Sequence, residues 1–242
     1  MQSPFTNLPP VVKNLLIINI LCFLPSVYLS HNFSIPGFDP MGTWFGVYYF
    51  NSANFRVWQV LTYMFIHGGW WHIFFNMFVL FQFGPIVEYA LGSKRFFNMY
   101  FICGLGAIAL QMFIQGIEVH AITGAFTIPN PTTDVSYFYQ FGVHGQKMYD
   151  IYTGGMVGAS GAIFGIMIAF ATLYPNMELM IMFIPVPIKA KYIMIGYVAL
   201  ELYLTLNQSQ GDNVAHLAHL GGALFGFLLI KLWGIKKPNS FY

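Results

Sequence analysis

Ser160 stands in a run of small residues, Gly158-Ala159-Ser160-Gly161, at the start of an apolar segment. A serine hydroxyl in a membrane helix usually bonds a carbonyl one turn back or helps two helices to pack. It becomes a nucleophile when a neighbouring base takes its proton. A possible base, His219, lies in another apolar segment, so the two residues together point to acyl-transfer chemistry.

His219 shares one face of a predicted helix with two glycines. The spacing of His219, Gly222 and Gly226 is three and then four residues, which places them along one face. Glycines four residues apart let membrane helices pack backbone to backbone, and Gly161 and Gly165 form a similar pair. If the two faces meet, the histidine reaches the serine. Glycines alone more often serve packing, but a histidine inside a membrane is costly and indicates function.

His72 and Asn76 are four residues apart, so both side chains leave one face of a predicted helix. Two donors aimed into a site with little water are suited to stabilise an oxyanion in a transition state. The alternative is that both residues only bond neighbouring spans and hold the helices together. The spacing by itself leaves both interpretations open.

The composition indicates an integral membrane protein. Only 7% of the 242 residues are charged and 57% are hydrophobic, whereas soluble domains carry about 25% charged residues. The net charge of +2 is too small to indicate a nucleic-acid partner. Cys22 and Cys103 both fall in apolar segments, which predicts neither a disulfide nor a cysteine metal site.

Six apolar segments are long enough to cross a bilayer, which takes ~20 residues of helix. They lie at roughly residues 11–29, 70–90, 96–117, 156–174, 188–206 and 214–233. Long connections are predicted at 31–69 and 118–153, and a short Met-rich connection at 175–187 is predicted to lie in the membrane interface. The fold class is therefore an all-α membrane protein with residues 1–242 as one domain.

Lys and Arg residues predict that the N-terminus and the C-terminus are both cytoplasmic. With this orientation the cytoplasmic ends carry Lys13, Lys94, Arg95, Lys189, Lys191, Lys231, Lys236 and Lys237. Only Arg56 and Lys147 then lie outside. Ser160 and His219 come about four and five residues into their predicted spans, so both lie roughly 6–8 Å below the outer end.

Three motifs together resemble those of the rhomboid family of intramembrane serine proteases, across the whole six-span core. They are His-x4-His-x3-Asn at His67, His72 and Asn76, Gly-x-Ser-Gly at Gly158, Ser160 and Gly161, and Ala-His-x2-Gly-x3-Gly at Ala218, His219, Gly222 and Gly226. The segment 88–93 also resembles the family's pattern. The resemblance implies a six-transmembrane-helix, rhomboid-like bundle.

The resemblance implies a catalytic dyad of Ser160 and His219 without an acidic third member. His72, Asn76 and the backbone N–H of Ser160 are implied to form the oxyanion hole. Phe164 matches the aromatic position on which the histidine stacks. No metal and no other cofactor is implied.

The implied substrates are transmembrane proteins of the lipid bilayer, cleaved near the outer end of a span. Such a span must unwind, because a helix hides its carbonyls in internal hydrogen bonds. The start of the chain resembles neither a signal peptide nor a transit segment, which favours a bacterial inner membrane over a eukaryotic secretory membrane. The sequence does not determine the oligomeric state.

The chain departs from the family pattern at two places. Many members carry Trp-Arg in the first outer loop, where this chain has Trp58-Gln59, with Arg56 as a possible substitute. His216 is a second histidine one turn before His219, and an offset of one turn would make it the base. Only His219 has the correctly spaced glycines, so it is the predicted base.

Three alternatives compete with the protease. A channel or transporter would explain buried polar residues, but acids inside the predicted spans are rare, with Glu201 the clearest one, and no internal repeat supports it. A metal site could use His67, His72, His216 and His219. Hydrolytic zinc sites normally include a carboxylate, a cysteine or a third well-placed histidine, and the spacing of His67 and His72 does not place them on one helix face. A proteolytically inactive rhomboid-like binding scaffold is the third alternative.

Overall fold

The computed structural model describes residues 8–32, 39–181, 184–207 and 214–235. These residues are mainly helical, which confirms the predicted helical class. The elements are α1 Pro10–Asn32, α2 Pro40–Phe45, α3 Gln59–Thr62, α4 Trp70–Leu91, α5 Ser93–Thr123, α6 Val135–Phe138, α7 Gly145–Thr153, α8 Ser160–Leu173, β1 Glu178–Ile181, β2 Ile184–Lys189, α9 Ala190–Leu206 and α10 His216–Leu232, with 3₁₀ turns at Tyr63–Phe65 and Tyr139–His144.

Three helices of the described part of the chain are long and apolar enough to cross a membrane. They are Pro10–Leu29 of α1, α4 and α5, while α8 and α10 are apolar but shorter. Large apolar side chains cover the outward faces of these helices, for example Phe74 and Phe113. A surface of this kind is stable against lipid and not against water. The chain is therefore an integral membrane protein.

Helix α8 lies at the centre of the helical packing. It contacts α4, α5, α9 and α10. Its side chains are apolar on every face, and Ile166, Ala169 and Phe170 are fully buried. A helix that is apolar all round is stable only inside a protein or a membrane. Its central place brings the first residue, Ser160, next to side chains of several other helices.

The helices at the predicted fourth and fifth spans begin at Ser160 and Ala190. The expected span at 156–174 is a helix only from Ser160, because Gly158 has a positive φ of 124°. Ser160 is therefore the first residue of the helix and does not lie four residues into it. The expected interfacial connection at 175–187 contains an antiparallel hairpin of β1 and β2, in which Glu178 pairs with Lys189. Helix α9, which corresponds to the predicted fifth span, follows directly after this hairpin.

The connection predicted at 118–153 is mostly helical. Helix α5 continues to Thr123, and α6, a 3₁₀ turn and α7 follow. These elements have a hydrophobic cluster of their own, which includes Tyr49, Val119 and Phe138. Asp134 caps α6 by accepting a hydrogen bond of 2.9 Å from the backbone N–H of Ser136. This backbone hydrogen bond lowers the pKa of the Asp134 carboxyl.

Glu88 of α4 ties the beginning of α1 to the beginning of α5. Its carboxylate accepts hydrogen bonds from the backbone N–H groups of Val11 (3.1 Å) and Val12 (2.8 Å) and from the Ser93 hydroxyl (2.6 Å). The first N–H groups of a helix have no partner within the helix, and a negative charge there is favourable. Glu88 is 1% exposed, so these bonds replace its lost water.

Candidate active site

Ser160 is placed by the turn that leads into α8. The N–H of Gly158 donates to the Tyr63 carbonyl at 2.9 Å, and Met156 pairs with Val47 in an isolated antiparallel bridge. The positive φ of Gly158, 124°, is one that residues with a side chain rarely adopt. This turn fixes the direction in which the chain enters α8, and Ser160 is the first residue of that helix.

Helices α8 and α10 approach each other through the two glycine pairs. A Cβ atom added at Gly222 would lie 2.6 Å from the carbonyl carbon of Gly161, and one at Gly226 would lie 2.6 Å from the Cα of Gly165. Both distances are far shorter than van der Waals contact, so any larger residue would separate the helices. The structure brings together the two faces that the glycine spacing singled out.

His219 meets Ser160 across this contact. The distance between His219 Nε2 and Ser160 Oγ is 2.8 Å, a normal hydrogen-bond length. The imidazole ring stacks on Phe164, with ring centroids 4.4 Å apart and an interplanar angle of 7°. His219 is mostly buried, with 12% of its side chain exposed. The arrangement is chemically suited to nucleophilic attack by the hydroxyl with the imidazole as base.

The other nitrogen of His219 contacts a carboxylate. Glu201 Oε1 lies 3.0 Å from His219 Nδ1, and Glu201 Oε2 lies 2.6 Å from His216 Nδ1. The family resemblance implies no acidic neighbour of His219, and the structure differs at this point. From the sequence, Glu201 had no assigned role, and His216 was considered as another base or as one ligand of a metal site. The available signal was an acid inside an apolar span, which is a functional hypothesis by default.

Glu201, His216 and His219 are also the group of described residues that could hold a metal ion. One ligand atom of each lies within 4.8 Å of the others. The four histidines suggested by sequence as a metal set are not gathered in this way. The distances of 2.6 and 3.0 Å from Glu201 to the two imidazoles are those of N–H···O hydrogen bonds. The three side chains therefore satisfy one another directly.

His72 and Asn76 lie against the turn before the serine. A Cβ atom added at Gly158 would lie 2.6 Å from His72 Nε2 and 3.7 Å from Asn76 Nδ2. The Asn76 amide nitrogen is buried and has no hydrogen-bond partner among the residues that the structure describes. Both side chains therefore lie against the turn that leads directly into Ser160.

His67, the first histidine of its motif, packs against the second. It is 2% exposed, and its ring meets that of His72 edge to face with centroids 5.1 Å apart. Burial lowers the pKa of His67, and the charge of protonated His72 lowers it further, so His67 is neutral at pH 7. Its position indicates support for His72 by packing.

Gln59 occupies the position where many family members carry arginine. It is fully buried, and its amide nitrogen donates to the carbonyl of Asn54 at 3.0 Å and to that of Thr43 at 3.3 Å. Its amide oxygen accepts from the backbone N–H of Arg56 at 2.8 Å. Gln59 itself therefore ties the loop together, and the Arg56 guanidinium donates to the nearby carbonyls of Ala53 and Phe55.

The fold and the site define a helical membrane protein with a paired serine and histidine among its packed helices. The rhomboid domain matches residues 54–235. The chain belongs to the rhomboid family, as its motifs predicted.

Three curated relatives each match more than two thirds of this chain. An uncharacterized mitochondrial rhomboid protein of Schizosaccharomyces pombe is 27% identical, over 80% of this chain and 55% of that protein. The rhomboid protease AarA of Providencia stuartii is 28% identical, over 76% of this chain and 58% of that protein. YdcA of Bacillus subtilis, named as a candidate rhomboid protease, is 27% identical over 98% of this chain and 95% of that protein. The chain spans about half the length of the first two.

Proposed function

We propose that this chain is an intramembrane serine endopeptidase that cleaves peptide bonds in or near transmembrane segments of membrane proteins. The observation that carries the proposal is the 2.8 Å contact between Ser160 Oγ and His219 Nε2, in which the His219 ring is held in place by stacking on Phe164. Relatives that are named rhomboid proteases support the same activity. The proposal needs no metal and no cofactor.

In the proposed reaction Ser160 Oγ attacks the carbonyl carbon of the substrate peptide bond while His219 Nε2 takes the hydroxyl proton. His72, Asn76 and the backbone N–H of Ser160 stabilise the negative oxygen of the tetrahedral intermediate. The C–N bond then breaks, and His219 returns the proton to the leaving amine. Water then attacks the resulting ester while His219 takes a proton from it, and the C–Oγ bond breaks as His219 gives that proton to Ser160 Oγ, which releases the acid and restores the serine.

The proposed architecture is one membrane domain over residues 1–242 with six spans and both termini in the cytoplasm. Helices α1, α4 and α5 have the length and composition of full spans. Helices α8 and α10 are shorter than the ~20 residues of a full span. We infer that they begin below the outer surface, which places Ser160 and His219 within the membrane. Lys236 and Lys237, which the predicted orientation places on the cytoplasmic side, lie outside the described residues.

The proposed partners are transmembrane protein substrates and the lipid bilayer. A substrate helix must unwind at the cleaved bond, because the serine can attack only a carbonyl that is free of helical hydrogen bonds. The bacterial inner membrane stays a prediction. The comparisons do not favour it, since a relative named mitochondrial matches as well as the bacterial ones.

A fluorophosphonate probe tests the proposal without knowledge of the substrate. The purified protein in detergent is incubated with the probe beside Ser160→Ala, His219→Ala and His216→Ala. An activated serine forms an O–P bond as fluoride leaves and His219 takes the proton. We expect the first two variants to lose labelling, because they lack the nucleophile or the base, and His216→Ala to reach the wild-type labelled fraction, because it keeps both.

Two results would contradict the proposal. Wild-type protein that is folded and does not label has no activated serine, which would favour the binding scaffold. Equal labelling of Ser160→Ala would mean that another residue reacts. A product assay in liposomes with a single-span substrate then separates peptide cleavage from mere probe reactivity.

A further inference from the structure

Glu201 is an acid in the middle of an apolar helix. It lies in α9, is 7% exposed, and packs against the site end of α10. A carboxylate in such a place is costly unless it is paired and hydrogen-bonded. Its two oxygens contact the two imidazoles of His216 and His219, one each. The contact to His219 joins Glu201 to the proposed nucleophile through a single ring.

We propose that Glu201 is a positioning residue for His219, so that the site works as a Ser160–His219–Glu201 triad. The inference rests on the proposed function and deepens it. An ionised carboxylate only accepts hydrogen bonds. The proton of neutral His219 therefore stays on Nδ1, and the lone pair of Nε2 faces Ser160.

The carboxylate does what the stacking on Phe164 cannot do. Stacking fixes the plane of the imidazole ring, but it leaves both neutral tautomers possible. With the proton on Nε2, His219 would donate to Ser160 Oγ and could not take its proton. A carboxylate on Nδ1 selects the productive tautomer, and it stabilises the imidazolium that forms during attack.

His216 orients the carboxylate. It lies one turn before His219 on α10, is 6% exposed, and contacts the oxygen of Glu201 that His219 does not use. With both oxygens bonded to the same helix, the carboxylate cannot rotate away from His219. This arrangement gives His216 a role other than that of the base.

The competing interpretation is that Glu201 only ties α9 to α10. A structural tie and a positioning residue differ in what its loss changes. Loss of a tie lowers the fraction of folded, reactive protein, and the molecules that remain folded react at the normal rate. Loss of a positioning residue lowers the rate constant of the folded molecules while the final labelled fraction is unchanged.

The test therefore measures the complete time course of fluorophosphonate labelling for wild type, Glu201→Gln, His216→Ala and Ser160→Ala, with thermal unfolding of each. Glu88→Gln is the matched control, because it changes an equally buried carboxylate in another part of the fold. A carboxylate behind a catalytic histidine contributes up to ~10⁴-fold to rate. We expect Glu201→Gln to label about 10²- to 10⁴-fold more slowly and to reach the wild-type fraction.

Two results would overturn the inference and leave the proposed function in place. One is a Glu201→Gln rate constant equal to that of wild type. The other is a lower labelled fraction at an unchanged rate constant, which would show a structural tie. Wild-type protein that does not label, or Ser160→Ala that does, would overturn the proposed function and the inference with it.

A spectroscopic measurement covers the case in which Glu201→Gln does not fold. The ¹⁵N NMR shifts of labelled histidine report which ring nitrogen carries the proton. We expect His219 of wild-type protein at neutral pH to be protonated on Nδ1, with its resonances assigned by loss in His219→Ala. Protonation of neutral His219 on Nε2 alone would overturn the inference.

Discussion

Two buried carboxylates in this protein have different partners. Glu88 accepts hydrogen bonds from two backbone N–H groups and a serine hydroxyl at the beginning of α1. Glu201 contacts two imidazoles at the beginning of α10. Both side chains are less than one-tenth exposed, at 1% and 7%. Burial is therefore nearly the same, and only the partners differ.

The partners decide what each carboxylate can do. A backbone amide keeps its proton throughout, so the bonds to Glu88 contribute to folding. An imidazole gains and loses protons near neutral pH. A carboxylate that selects its tautomer affects reactivity as well as stability. A buried acid is thus a better functional indicator when its partners can titrate than when they cannot.

The largest expected loss of stability is for Glu88→Ala. It leaves two N–H groups of α1, the part-buried one of Val11 and the buried one of Val12, without their acceptor, and each unsatisfied group costs about 1–3 kcal/mol. We expect the free energy of unfolding to fall by about 2–6 kcal/mol, measured by thermal or denaturant unfolding in detergent. Glu178→Ala, which removes an exposed carboxylate, is the control. A labelling rate constant lowered as much as in Glu201→Gln would remove the distinction between the two acids.

Gly222→Ala moves α8 away from α10 and leaves the bonds of Glu201 to α10 in place. It therefore tests whether those bonds alone keep Ser160 reactive. The added Cβ would lie 2.6 Å from the Gly161 carbonyl carbon, so α8 and α10 must separate. A misplacement of about 1 Å costs roughly 10²-fold in rate, and we expect that loss in labelling. Gly196→Ala in α9 is the matched control, since its Cβ meets nothing within 4 Å among the described residues. Equal labelling of the two variants would contradict this view of the helix contact.

Ser93→Ala sharpens the description of the Glu88 site. It removes the hydroxyl bond of 2.6 Å and leaves both backbone bonds to the carboxylate. We expect the free energy of unfolding to fall by about 1 kcal/mol, the usual contribution of one hydrogen bond, with unchanged labelling. In the Glu88→Ala background the same change should have a smaller effect. Equal effects in both backgrounds would mean that the hydroxyl acts independently of Glu88.

The smallest expected effect is that of a chelator. Glu201, His216 and His219 could in principle hold a metal, but their bonds to one another already satisfy them. We expect EDTA or phenanthroline to leave the labelling rate constant unchanged. Loss of labelling on chelation, restored by added zinc, would assign Glu201 to a metal site. Glu201 would then not be a hydrogen-bonded carboxylate that can be compared with Glu88.

The site could be predicted where its residues share a helix. His219, Gly222 and Gly226 follow the helical period, which sequence displays directly. Glu201 lies on a different helix from both histidines that it contacts, and no spacing relates residues on separate helices. The sequence also did not show that α8 begins at Ser160. The apolar composition continues through Met156 and Val157, whereas the turn at Gly158 depends on its contact with the distant Tyr63.

The sequence by itself determined the membrane class, the rhomboid family, and the identity of the serine, histidine and glycine residues, because composition and helical period are local properties of the chain. Only the tertiary structure decided the contact of Ser160 with His219 and the placement of Glu201 behind it. Those contacts depend on how α8, α9 and α10 are rotated about their axes. That rotation is set by packing among residues distant in sequence, which for α8 and α10 includes the close approach of Gly161 and Gly222.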